Sequence, residues 1–274
     1  MFKGVYFRFL DNLYRLILKR AEYISVVSEP LKFRVIETHG VEKEKVFVFP
    51  NGVDVRAFRT GIASGCLRSS LGVENKKVIL FIGGITEDRG LALLVKALPK
   101  IVVKNQHVIV LIVGEGPQKF DLKKLAENMG VERFVKFIPP VSHEEIPRYI
   151  SAADVTVGPL VARSDTFGSV PRKVLEYMAC AKPVVVCYAS VSRDLIIDGC
   201  NGFLIHPGET EELASVILKI ISHPSLVAEV GQNARENVEK LYDWDIVMNN
   251  FEKVLRVAVA GGKHILTLKN ESRD

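Results

Sequence analysis

The sequence is poor in the residues that announce a special chemistry. Its 274 residues hold four cysteines and one tryptophan. Cys66, Cys180, Cys187 and Cys200 show no Cys-x-x-Cys spacing. Cys180 and Cys187 sit in an apolar stretch and read as small core residues, as expected of a reduced, intracellular protein. No apolar run approaches the roughly 20 residues that span a bilayer. The N-terminal stretch is no signal peptide, because Arg8, Asp11, Arg15, Lys19 and Arg20 interrupt it. The histidines form no metal set; His206 before Pro207 and His143 before Glu144 read as loop or cap positions. A Gly-x-Ser-x-Gly elbow is missing, which argues against a serine hydrolase. Basic and aromatic residues do not interleave as they do in RNA-binding surfaces, so nucleic acid is not an expected partner.

What is present is an ordinary globular composition, 48% hydrophobic and 25% charged, which excludes disorder. The net charge of +5 suits an anionic ligand or a membrane surface. Short apolar runs alternate with amphipathic segments. The runs are Val46–Phe49, Val78–Ile82, Val108–Val113, Val135–Ile138, Val155–Val157, Val184–Cys187 and Phe203–Ile205. Most are continuous rather than alternating, the pattern of strands covered on both faces. Segments such as Leu91–Lys104, Gln118–Met129 and Glu144–Ala152 read as the intervening helices. The fold class is therefore α/β: a Rossmann-like parallel sheet with helices on both faces, joined by right-handed crossovers. Ligands of such sheets bind at the carboxyl ends of the strands. Here those loops are Gly83–Gly90, Gly114–Pro117, Pro139–His143, Pro159–Val170 and Tyr188–Ser192.

Both ends differ from this repeat. Residues 2–24 read as a helix with Phe9, Leu10, Leu13, Leu16 and Ile17 on one side, followed by a short strand at Ser25–Ser28 and a helix over Leu31–Gly40. Helices are expected over Glu211–Ser222 and Ser225–Leu241, with a last one starting at Tyr242 and running to about Val257. The segment Gly261–Asp274 is polar and reads as a frayed tail.

The stretch Pro171–Val186, P-R-K-V-L-E-Y-M-A-C-A-K-P-V-V-V, carries the chemistry. Proline suits a first helical turn because its missing N–H has no intrahelical partner there. The free amides of that turn attract an anion, and Arg172 and Lys173 add positive charge. Glu176, one turn on, is placed to accept hydrogen bonds from sugar hydroxyls. Phosphate and polyol recognition side by side point to a nucleotide-sugar site.

At this point the chain resembles the nucleotide-sugar-binding half of a GT-B retaining glycosyltransferase (the family 4-like, group 1 enzymes). The matching stretches run in family order: Ser25–Ser28, Phe49–Asp54, Phe81–Gly90, Val113–Pro117, Ala153–Asp154, Pro171–Ala179, Lys182–Val185 and Asn201–Leu204. Each alone is weak; eight in order are specific. The resemblance implies a remnant of the acceptor domain in residues 1–45 and a nucleotide-sugar-binding domain in 46–241. It assigns 242–258 to a crossover helix and 259–274 to the tail. It also implies that most of the acceptor half is missing, either because the chain is shortened or because another polypeptide supplies it. The apolar faces of Phe9–Ile17 and of the last helix would then be covered by that polypeptide or by a second copy. The basic first helix also admits peripheral contact with an anionic membrane from the cytoplasm.

The resemblance further implies hexose transfer from a nucleoside diphosphate sugar with retention. Such sites need no metal where protein cations hold the diphosphate, and no other cofactor. Gly83, Gly84, Arg89, Gly114, Gly116, Asp165, Arg172, Lys173 and Glu176 are the donor-site candidates, with Arg89 and Lys173 as the catalytic ones. The family's first loop presents an arginine and a lysine to the diphosphate; here Gly84 stands at the arginine and Arg89 at the lysine. A guanidinium keeps bidentate phosphate recognition. Glu176 matches the second of two family carboxylates. Gly168 leaves the first position without a side chain; Asp165, three residues further away, either reaches in from the loop or is a turn residue. Lys173 either reaches the diphosphate or pairs with Glu176 one turn later. Gly114-Glu-Gly116 lacks the third glycine of a dinucleotide fingerprint, which sets a NAD enzyme aside. Two readings besides the transferase stay open, a donor-binding subunit without catalysis and a sugar-nucleotide epimerase.

Overall fold

A computed structural model describes residues 2–158, 160, 161, 171–188 and 195–259, with side chains omitted for residues 2–9 and 257. Six strands form the main sheet: β3 (Lys77–Ile82), β4 (Val108–Val113), β5 (Val135–Ile138), β6 (Val155–Val157), β7 (Val184–Cys187) and β8 (Phe203–Ile205). All neighbours are parallel, in the order β5-β4-β3-β6-β7-β8. Side chains alternate between two cores, as the pleat requires. Ile79 and Phe81 of β3 face one cluster, and Val78, Leu80 and Ile82 face the other.

The first cluster is closed by α4 (Leu91–Lys104), α5 (Lys119–Asn128) and α8 (Thr210–Ser222). The second is closed by α3 (Gly65–Leu71), α6 (Ile146–Ala152), α7 (Arg172–Ala179) and α9 (Pro224–Leu241). Cores on both faces explain the unbroken apolar runs of the strands. Cys180 and Cys187 are buried in these layers, whereas Cys66 and Cys200 are exposed.

The N-terminal region is separate. Helix α1 (Phe2–Arg20), β1 (Ile24–Val26), α2 (Glu29–His39) and β2 (Val46–Val48) share a small core of Leu18, Ile24, Val26, Val35, Val41 and Val46. Val46–Phe49, read from sequence as part of the large sheet, instead pairs β2 with β1 in a two-stranded parallel sheet. The first helix stops at Arg20 rather than 24, because Ile24 is needed opposite Val46. Ser28 is not in the strand; its hydroxyl caps α2 by accepting from the Leu31 amide, so that helix starts two residues early, at Glu29.

Helix α10 (Trp244–Val259) begins two residues later than expected. Tyr242 and Asp243 are taken by a parallel bridge to Val53, in which the Val53 amide donates to Tyr242 O and the Trp244 amide to Val53 O. Gly52 makes room for the indole, since a Cβ there would lie 2.6 Å from the Trp244 ring. Beyond the bridge, Phe251 meets Phe49 edge-on at 4.9 Å. The last helix therefore turns back to the chain just after β2. No single helix among the described residues is long and apolar enough to cross a membrane.

Candidate functional site

The chain reverses its direction of travel across the sheet between β3 and β6. From β3 it moves outward to β4 and β5; from β6 it moves the other way to β7 and β8. Sheets of this kind bind ligands at the carboxyl ends of the strands beside such a reversal, here the ends of β3 and β6.

The loop after β3 is laced to the loop after β4 by backbone. Gly83 N donates to Val113 O, Ile85 N to Glu115 O, and Gln118 N to Ile85 O. This closeness needs glycine. Gly114 has φ +144°, and a methyl group on it would overlap the Gly83 carbonyl; one on Gly116 would overlap that of Ile85. Gly84, by contrast, stands in open space, with only the Thr86 methyl 4.0 Å from where its Cβ would be. The loop continues into a 3-10 turn at Glu87–Arg89 and is closed by Gly90 in the left-handed region, after which α4 starts. Leu160, following β6, donates its amide to Arg89 O at 3.0 Å, which ties the start of that loop to the loop after β3.

Arg89 is not the solvated helix-start residue that its position allows. Its side chain is two-thirds buried, and Nε lies 3.3 Å from the Asp88 carboxylate. The angle there makes an ion pair and not a hydrogen bond, so Nε is buried without an acceptor among the described residues.

Helix α7 delivers the other groups. Pro171 is its extended N-cap, and Arg172 its first helical residue. Lys173 extends toward β3, not toward Glu176. Its Nζ stands 4.1 Å from the centroid of the Phe81 ring and against Gly83, where any Cβ would overlap it. Burial first, and the Arg89 charge second, bring its amine down to about 7. Glu176 is 8% exposed, and burial holds its carboxyl above the ordinary range. Its ion-pair partner is Arg172, at 3.7 Å. The sequence left Lys173 between diphosphate and Glu176; in the structure its amine lies by Phe81 and Gly83, and the ion pair of Glu176 is with Arg172.

Gly83, Gly114, Gly116, Arg89, Lys173 and Glu176 thus lie around the carboxyl ends of β3 and β4, while Gly84 contributes open space and the exposed Arg172 borders the site. Asp165 and Gly168 lie outside the described residues. Among the described residues no three His, Cys, Asp or Glu side chains gather as metal ligands.

Three residues near the site escaped the sequence reading. Tyr177 is fully buried, and its hydroxyl accepts the Ile82 amide at 2.9 Å. His143 packs on Phe58 with ring centroids 5.3 Å apart and adds positive potential at Glu176. Arg235 donates to the carbonyl of Ala179 at the end of α7, and to Phe58 O and Val55 O at 2.5 and 2.9 Å. Tyr177 had a signal, an aromatic hydroxyl in an otherwise apolar helix face. The other two depend on contacts far apart in sequence.

Comparison with known proteins agrees with this geometry. The family described as glycosyl transferases group 1 matches residues 67–237. An uncharacterized glycosyltransferase of Methanocaldococcus jannaschii is 29% identical over 240 residues, covering 86% of this chain and 60% of that protein. D-inositol 3-phosphate glycosyltransferase 1 of Catenulispora acidiphila is 28% identical over 84% of this chain and 56% of its own length. The chain thus spans well under two thirds of either relative. Among solved structures, Anabaena HepE in complex with UDP and glucose superposes with a TM-score of 0.80 at 25% identity, over 89% of this chain and 66% of that one. The same protein has also been solved with UDP-glucose. The sheet, its covering helices and the extent of the family match place this chain among the group 1 glycosyl transferases, with the fold of one half of a GT-B enzyme.

Proposed function

We propose that this chain binds a nucleoside diphosphate sugar and serves the transfer of its hexose to an acceptor with retention at the anomeric carbon. One observation carries the reading. Two cationic side chains, Arg89 and Lys173, converge at the end of β3 beside the free amides of α7, with a carboxylate one turn behind them. In this reading the diphosphate lies between those cations, and Glu176 accepts hydrogen bonds from ribose hydroxyls. Charge grows on the departing diphosphate as the glycosidic bond breaks. Arg89, Lys173 in its protonated form and the amides of Arg172 and Lys173 give a positive field for it, so the transfer calls for no metal. The UDP and UDP-glucose complexes of HepE support UDP as the first donor base to try.

A second reading has its own support. Gly84 leaves one side of the diphosphate site open, which suits a donor-binding subunit that transfers nothing by itself. In either case we propose that an acceptor-half polypeptide covers α1, whose Leu13, Leu16 and Ile17 are 43–57% exposed, together with Met248 and Leu255 of α10. The relatives matched are longer than this chain, which is consistent with such a half.

Calorimetric titration with UDP-, GDP- and ADP-sugars tests the donor site, with Glu176→Ala and Arg89→Ala as controls. Micromolar binding of one nucleotide, lost in both variants, is the expected result. A folded protein that binds none of them overturns it. Release of free nucleoside diphosphate separates transferase from binding subunit. Sedimentation of wild type and Ile17→Glu shows whether a second copy covers α1 instead.

A further inference from the structure

We propose that Lys173 works as a proton-coupled clamp, taking up a proton when an anionic donor enters the site and returning it when the site empties. The inference rests on the donor reading above and concerns the regulation of that same site.

The position of the amine is the basis. On the β3 side it meets the Phe81 ring and the Cα of Gly83, so it cannot withdraw toward the strand. From the loop after β3, Arg89 faces it with a like charge and Asp88 with an opposite one. From its own helix Glu176 faces it, and Arg172 and His143 act on that carboxylate in turn. Among the described residues, Asp88 also lies 3.3 Å from Arg89 and Glu176 3.7 Å from Arg172, so neither carboxylate faces the amine alone. An aromatic face attracts a cation, but by less than an ammonium loses on leaving water. The empty site therefore disfavours the charged amine, and burial brings its pKa down to about 7, within the neutral range.

A diphosphate reverses the balance. Opposite charge within hydrogen-bonding reach stabilises the ammonium, so the bound lysine stays charged through the neutral range. The proton comes from the buffer and ends on Nζ; no bond to the ligand forms. With the free amine brought down to about 7, linkage makes the proton uptake per donor small at pH 6 and rise toward one above the neutral range. Affinity then falls up to about tenfold per pH unit above 7. Arginine, which never yields its proton, would give a site indifferent to this change.

Calorimetry with UDP-glucose, GDP-mannose and ADP-glucose, each in buffers of different ionisation enthalpy at pH 6, 7 and 8, reads the proton count directly. The diphosphate of these sugars is esterified at both ends and exchanges no proton in this range, so any uptake belongs to the protein. Uptake rising with pH is expected for wild type and for His143→Asn. Lys173→Arg is expected to bind with no uptake, and Lys173→Met to bind more weakly, also with none. Wild-type binding with no pH-dependent uptake overturns the clamp and leaves the donor site standing. Uptake that survives in Lys173→Met, or disappears in His143→Asn, overturns it too by moving the proton to another group. If none of the three sugars binds, the donor reading falls and the clamp falls with it.

Discussion

The hydroxyl of Tyr177 accepts a hydrogen bond from the amide of Ile82, 95 positions away in sequence, at 2.9 Å. The β3–β6 ladder has ended by then, its last pair being Leu80 with Thr156. Tyr177 supplies the acceptor that the sheet no longer offers, one residue before Gly83. Burial holds the phenol well above its ordinary range, so it stays neutral. The bond fixes α7 against the strand end where Lys173 and Arg89 meet.

Tyr177→Phe keeps the ring and removes the acceptor. A buried amide left unpaired costs about 1–3 kcal/mol. Urea unfolding should show a loss of that size, and donor binding should weaken with it as α7 loosens. Wild-type stability in the variant would mean that Ile82 finds another acceptor and that the pin is dispensable.

Much of this was legible in the chain. Unbroken runs such as Val108–Val113 gave the buried parallel sheet, and Pro171–Ala179 gave the helix at its edge. The errors lie where a local pattern was overruled at a distance. Val46–Val48 reads like any other strand of the large sheet; only its pairing with Ile24–Val26 removes it. Tyr242 and Asp243 read as a helix start until the bridge to Val53 claims their backbone. Within the site, spacing put Lys173 and Glu176 on one helix face, one turn apart. Spacing could not choose between them as partners, because that choice depends on Phe81, Gly83 and Arg172.

Lys173 also has a consequence for stability without ligand. The unfolded lysine holds its proton to 10.5, whereas the folded one loses it at about 7. The unfolded chain binds more protons between those values, so this group makes the folded protein gain stability as pH rises from 7 toward 10.5. Below about 7 the full penalty is present. Lys173→Met should therefore stabilise the empty protein by clearly more at pH 6 than at pH 9. Thermal melts at the two pH values decide it; an equal gain at both would show that packing and not charge is responsible.

Glycine substitutions separate scaffold from site. Gly114→Ala places a methyl on the Gly83 carbonyl at a φ that alanine resists, and Gly116→Ala places one on the Ile85 carbonyl. Overpacking of this kind costs about 1–3 kcal/mol, and both variants should lose donor affinity as the two loops part. Gly84→Ala meets only the Thr86 methyl, at 4.0 Å, and should melt within about 0.5 kcal/mol of wild type. A melting curve for Gly114→Ala like that of Gly84→Ala would show that the loops have slack that these contacts do not suggest.

Arg235 tests how α7 is held at its other end. The guanidinium donates to Ala179 O, Phe58 O and Val55 O, and pairs with Glu239 at 2.6 Å. These acceptors come from the end of α7 and from the stretch just after the Val53 bridge, so one side chain joins the donor helix to the connection between the two sheets. The arginine is 13% exposed and Glu239 45%. Removing the carboxylate should cost little, about 0–1 kcal/mol, because water reaches that pair. Arg235→Met leaves three carbonyls short of a donor in a part-buried place and should cost about 3 kcal/mol or more. Because α7 then loses its tether at Ala179, donor affinity should drop in Arg235→Met and recover in part in Arg235→Lys, whose ammonium can still reach one or two of the carbonyls. A stability loss in Arg235→Met no larger than that in Glu239→Gln would show that water satisfies the carbonyls and that the joint does not depend on the guanidinium.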